Sequence, residues 1–129
     1  MSLNTDNAGS LVSRSMLDSV SAANTAAATS GNGFWIDTQD LEGAIAVTLN
    51  VGAVTGSITG KLRTATDANG TGAADLTGAT FTAVSSSSST QTIVVQKTQM
   101  TARYLGFVGT IVTGPALVSV IALGCKKYT

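Results

Sequence analysis

The amino-acid sequence predicts an all-β fold: an antiparallel β-sandwich of jelly-roll type, about eight short strands behind a flexible N-terminal arm. Three observations carry that expectation. Apolar residues recur with period two from Leu41 to Val51. Turn formers interrupt the chain at short intervals, as they do between the strands of a sandwich. Ser and Thr together account for 34 of the 129 residues, and they suit solvent-facing strand positions and polar turns better than helices. The length fits one compact unit, residues 11–129 after an arm of residues 1–10. Such a chain buries roughly 65–70% of its unfolded surface, enough for a core without staples. Aromatic residues are only 5% against 43% hydrophobic in all, so Val, Ile, Leu and Ala must build that core.

The elements follow in order. Residues 1–10 are polar, and Ser13, Arg14, Ser15 and Asp18 break the apolar run from Leu11 to Val20, so no secretory signal is expected and the mature chain is expected to begin here. A weak first strand is expected over Leu11 to Leu17. The low-complexity stretch SAANTAAATSGNG, Ser21 to Gly33, reads as a flexible connection, because Thr, Asn and Gly interrupt its alanines. A short strand is expected at Phe34 to Asp37. In the next strand Leu41, Ile45, Val47, Leu49 and Val51 mark a core face, while Glu42, Ala44, Ala46, Thr48 and Asn50 mark the other. Gly52 and Gly56 bound a turn, and Ile58, Gly60, Leu62 and Thr64 alternate beyond it, which predicts an antiparallel hairpin with the strand before. DANGTGAADLTGAT reads as a connection with a reversal at Asn69-Gly70. Short strands at Thr80 to Val84 and Thr90 to Gln96 flank five serines, Ser85 to Ser89, expected to form a mobile loop.

Tyr104 to Cys125 holds no charged residue, which meets the ~20-residue length of a membrane helix. Its Val, Ile and Thr content, Gly106, Gly109, Gly114 and Gly124, and the central Gly114-Pro115 favour two buried strands and a turn instead. Arg103 on one side and Lys126 with Lys127 on the other give no charge asymmetry to orient a span. The expected strands are Ala102 to Thr113 and Ala116 to Lys126, paired as a hairpin, apolar on both faces and therefore needing cover on two sides. The sandwich supplies one cover, and an oligomer or partner surface the other.

Catalytic signatures are sparse. Seven basic residues balance seven acidic ones and charged residues make up 11%, too little local surplus to neutralise phosphates, so nucleic acid is not an expected partner. The chain has no histidine, the commonest general base and transition-metal ligand. The serines therefore lack an activating partner. Gly56 to Leu62 falls short of a phosphate loop, with three residues between its glycines and a leucine after Lys61. Asp37, Asp40 and Glu42 could ligate a hard cation, but such carboxylates more often serve as turn and rim residues. Asp67, Asn69 and Asp75 lack the flanking helices and terminal Glu of a calcium hand. Cys125, the single cysteine, cannot close an intrachain disulfide and suits the role of a small buried hydrophobe. Trp35, beside Phe34, could stack on a sugar or base, and more often such a residue is a core anchor or an interface hot spot. No enzyme activity, cofactor or metal is expected.

The hairpin EGAIAVTLNVGAVTGSITGKLRTATD, the Gly/Ser-rich middle and the closing TARYLGFVGTIVTGPALVSVIALGCKKYT together suggest a family. Arg103-Tyr104-Leu105, the Thr-Gly-Pro turn, the apolar return strand and the Gly-x-Lys-Lys-Tyr end at Gly124 to Tyr128 resemble the capsid decoration, or cement, proteins of tailed bacteriophages, over roughly Leu41 to Tyr128. The resemblance implies a β-sandwich, a homodimer or homotrimer, that binds the outer surface of an assembled head. Its partner would be the major capsid protein and its location the virion. Expected contact residues are Ser2, Leu3 and Asn4 in the arm, Trp35, and Lys126, Lys127 and Tyr128 at the C-terminal end. Two other classes remain: a carbohydrate-binding or adhesive module using Trp35 and the loop tips, and an oligomeric membrane protein spanning at Tyr104 to Leu123.

Overall fold

The computed structural model describes residues 11–22, 28–29, 34–85, 88–113 and 115–126. Among these residues ten strands follow one another: β1 (Leu11–Ala22), β2 (Ala28–Thr29), β3 (Ile36–Asp37), β4 (Leu41–Val54), β5 (Ser57–Ala65), β6 (Ala74–Thr80), β7 (Val84–Ser85), β8 (Ser89–Gln96), β9 (Tyr104–Val112) and β10 (Ala116–Lys126). A 3-10 turn, Lys97–Gln99, lies between β8 and β9. One sheet runs β1-β10-β4-β8 and the other β2-β9-β5-β6, with β3 added on β9 and β7 on β5. The pairs β1 with β10, β2 with β9, β4 with β8 and β5 with β6 are nested, like one long antiparallel hairpin. It is rolled so that β10 meets β4 and β9 meets β5. That winding is the jelly roll, and the protein is an all-β antiparallel sandwich.

Alternation decides what the sheets enclose. Ile45, Val47, Leu49 and Val51 of β4 are buried on one face, and Ile58 and Leu62 of β5 answer them from the other sheet. Met16, Val118, Val120 and Ala122 extend the same core across β1 and β10, and Leu105 and Phe107 extend it on β9. A sheet residue and its second neighbour share a face, so this burial pattern is the period-two pattern of the sequence made physical.

Both expected hairpins are corrected. β4 and β5 do not pair: β4 lies between β10 and β8, while β5 lies between β9 and β6. β9 and β10 likewise belong to opposite sheets. Each connection is an arch that carries the chain from one sheet to the other, and the two arches meet where the Thr55 N–H donates to the Pro115 carbonyl at 3.1 Å. Gly56 sits where they touch. A Cβ there would lie 2.1 Å from the Val112 carbonyl oxygen and 2.3 Å from that of Thr113, so only glycine fits.

The stretch read as a connection contains β6, whose pairing with β5 jumps from Lys61↔Thr80 to Arg63↔Asp75 through a bulge. The expected strand over Phe34 to Asp37 narrows to Ile36–Asp37. Part of the Ser21 to Gly33 stretch is strand: Ser21 and Ala22 end β1, and β2 pairs with Val108 and Gly109 of β9. Of the five serines, Ser85 closes β7 and Ser89 opens β8. Residues 86–87 lie outside the described residues, as does the expected arm, residues 1–10.

The expectation that Tyr104 to Cys125 is strand rather than helix agrees with β9 and β10, and among the described residues no helix is long and apolar enough to cross a membrane. β10 is covered by the chain on one face only. On β10, Ala116, Val118, Val120 and Ala122 are buried while Leu117, Ile121 and Leu123 are 48%, 49% and 39% exposed.

Candidate functional site

The uncovered face of β10 lies in the middle of its sheet, so its neighbours define a surface. Leu123 stands opposite Ser13 of β1 and Ala46 of β4, and Ala46 stands opposite Val94 of β8. In the next row Ile121 is flanked by Ser15 and Thr48, with Thr92 beyond. A third row joins Ser119, Asn50 and Thr90. None of these residues is charged. Hydroxyl contacts brace the face: the Thr48 and Thr92 hydroxyls are 3.0 Å apart, and the Thr90 hydroxyl donates to Asn50 Oδ1 at 3.0 Å. Val94 is 55% exposed, so an aliphatic patch crosses a field of short hydroxyl side chains.

Among the described residues the ion pairs belong to the opposite sheet. Lys61 Nζ lies 2.9 Å from Asp75 Oδ2, and Arg63 Nε lies 3.0 Å from Asp75 Oδ1. Arg103 grips Asp37 in a two-point ion pair, Nε to Oδ1 at 2.8 Å and Nη2 to Oδ2 at 2.6 Å, while the Gln39 N–H donates to Oδ1 at 3.0 Å. The Arg103 guanidinium also lies 5.3 Å from the centre of the Tyr104 ring. The buried Thr38 next door donates its hydroxyl to the Arg103 carbonyl, and Lys97 Nζ donates to the carbonyls of Thr38 and Leu41. Asp37 is therefore a pin between β3 and the segment before β9. Asp67 similarly accepts the N–H groups of Asn69 and Thr71 at 2.8 and 3.1 Å, closing its own turn. Among the described residues no group of three or more Cys, Asp or Glu is placed to hold a metal ion.

These contacts set the acid response. The Arg103 hydrogen bond holds the Asp37 carboxyl below its ordinary value, and Lys61 does the same for Asp75 and the Thr71 side chain for Asp67. The unfolded chain, with carboxyls near 3.8, then takes up protons at a higher pH than the folded one. Stability is complete above that value and is lost as pH falls through the lower folded values. With no histidine, unfolding free energy is expected to stay level near neutrality and to fall below about pH 4. Urea titrations between about pH 2 and pH 7 check it. Asp37→Asn should flatten the acid slope at a neutral-pH cost under about 1 kcal/mol, because the pair is partly open to water.

Trp35 is 6% exposed. The register sets Ile36 opposite Leu105, so Trp35 comes beside Gly106, where a Cβ would lie 2.3 Å from the indole. Gly70 of the Asp67 turn meets the same ring, with a Cβ position 2.9 Å away. The indole thus staples a loop to the sheet, as a core anchor does, and offers no open platform for a sugar. Lys126 is exposed, and it continues the inner row of Ala122 and Gly124 rather than the outer row of Leu123. With Arg14, Trp35, Asp37 and Asp40 it lines a cleft of about 540 Å³ between the sheets. Cys125 is half-buried with a free thiol. Ser2, Leu3, Asn4, Lys127 and Tyr128 lie outside the described residues.

Two features escaped the sequence reading. The Asp37–Arg103 pair joins positions 66 apart, which no local pattern reveals. Arg14 did leave a signal: it interrupts the inward series Val12, Arg14, Met16 on a strand whose other inward residues are apolar.

No protein-family model matches the chain, and no curated protein matches its sequence. Among solved structures, one described by the words "Bacillus endospore appendages form a novel family of disulfide-linked pili" is similar at 13% identity and a TM-score of 0.48, covering 91% of this chain and 88% of that one.

Proposed function

We propose that this chain is a non-enzymatic structural protein of a virion, a cement protein that binds the outer surface of an assembled phage head. The observation that carries the reading is the aliphatic row Leu117, Ile121 and Leu123, with Val94 beside them, on the outer face of the β1-β10-β4-β8 sheet. Large aliphatic groups grouped on an otherwise hydroxyl-lined surface gain free energy when a second surface removes them from water. The resemblance of the Leu41 to Tyr128 sequence to phage decoration proteins names the second surface as the major capsid protein. The three rows around this patch hold no charge and Glu42 at the end of the face is acidic, so the face cannot neutralise phosphates, which suits a part that must not adhere to nucleic acid.

The mechanism is fastening. A protein that binds the assembled shell and not the separate subunits stabilises the shell by mass action. A homodimer or homotrimer multiplies modest contacts through effective concentration, so no single contact need be strong. The shell holds against internal pressure because every bound copy must be released before neighbours part. Lys126 sits at the cleft end of the sandwich, so the face rather than this residue carries the contact.

Sedimentation of the purified chain with undecorated heads of the virus that encodes it, and separately with unassembled major capsid protein, tests the reading. Saturable binding to heads, at least tenfold tighter than to free subunits, is expected, with heads that survive to higher temperature. Absence of binding to heads, or equal binding to free subunits, contradicts it.

A further inference from the structure

A charged side chain at an inward position of a sandwich strand calls for a reason. Arg14 follows Val12 and precedes Met16 on the inner side of β1, opposite the buried Ala122, and is nonetheless exposed. Lys126 ends the inner row of β10 and stands opposite Leu41. Both reach the same cleft, whose volume of about 540 Å³ falls within the ~300–1,000 Å³ typical of small-molecule sites. The cleft opens between the two sheets at this end. β1, β4 and β10 line one side, and on the other the lining comes from Trp35, Ile36 and Asp37 at β3, the short strand that pairs with the start of β9. Val12, Leu41 and Ile45 make an aliphatic lining.

Charge decides what the cleft can take. Asp37 on its rim is engaged by Arg103. Among the described residues, Arg14, Lys126 and Asp40 have no ion-pair partner. Two cations thus stand on the β1/β10 wall against one carboxylate opposite. A guanidinium receives a carboxylate at two points, and an ammonium adds a compact second charge. We propose that the cleft binds a small monoanionic amphiphile, an aliphatic chain ending in a carboxylate, with the chain against Val12, Leu41 and Ile45 and the carboxylate on Arg14 and Lys126. An inward charge on an edge strand also discourages pairing with other sheets. That role requires Arg14 alone and leaves both the cleft and Lys126 unexplained.

Decanoate and decanol, titrated into the full chain below their aggregation concentrations, are the probes. Calorimetry measures affinity, and methyl resonances of Val12, Leu41 and Ile45 report the place. Decanoate is expected to bind at least tenfold tighter than decanol and to shift those methyls, and the Arg14→Gln/Lys126→Gln variant to lose that preference. Equal affinity for acid and alcohol, a preference that survives in the variant, or shifts confined to other methyls would overturn the proposal. The outer face is untouched by these substitutions, so the variant should still sediment with phage heads, and the two readings fail separately.

Discussion

Replacing Phe107 by alanine is expected to destabilise the protein by about 3–5 kcal/mol, the largest effect of any single truncation in the core. Phe107 is fully buried in the middle of β9, and its ring meets that of Phe81 edge to face, with centroids 6.2 Å apart and planes at 62°. Leu62, Leu105 and Ile111 sit on strands that hold them in place, and Phe81 is itself a buried part of the same core, so little is free to move into the space. At this chain length the loss corresponds to a fall of roughly 10–20 °C in melting temperature. Thermal and urea unfolding followed by circular dichroism measure it. A cost under about 1 kcal/mol would show that the core is held elsewhere.

The second large effect concerns binding rather than folding. The triple variant Leu117→Ser, Ile121→Ser, Leu123→Ser should lose about 2–4 kcal/mol of affinity for phage heads, roughly 30- to 1,000-fold in Kd. Each side chain is about half exposed in the free protein, so docking removes only part of its apolar surface from water, and the sum of three gives that range. Serine already occupies the neighbouring positions Ser13, Ser15 and Ser119 on the same face, so the sheet tolerates it. The melting temperature should move by only a few degrees, which separates a binding defect from a folding one. Sedimentation with heads gives the affinity, and unchanged binding would remove this face from the mechanism.

What could be read in the residues, and what could not, divides along the range of the interaction. The buried face of β4 was legible because Ile45, Val47, Leu49 and Val51 alternate with smaller and polar residues, a pattern that every pairing of that strand must respect. Its partners were not legible. A hairpin and an arch present the same alternation on both sides of Thr55-Gly56, and the choice rests on β8 and β10 pairing with β4 while β9 pairs with β5, contacts far apart along the chain. The same ambiguity hid the separation of β9 from β10. β6 was hidden for a local reason: its bulge, with Gly78 at φ 78°, breaks the period so that only Leu76 and Ala79 remain as buried positions. The site divides in the same way. Leu117, Ile121 and Leu123 were visible as an apolar face needing cover, whereas their assembly with Val94 and a field of hydroxyls depends on the sheet order. Trp35 invited a binding role by its chemistry, and the close approach of Gly70 and Gly106 assigns it to packing.

A reconstruction of the phage head with the chain bound tests the central idea most directly, because it shows which side of the sandwich rests on the shell. The expected image has the β1-β10-β4-β8 sheet lying on the capsid, with the strand from Ala116 to Lys126 closest to it and the β2-β9-β5-β6 sheet turned to solvent. A bound copy with the Lys61, Arg63 and Asp75 side against the shell, and Leu117, Ile121 and Leu123 open to water, would contradict it.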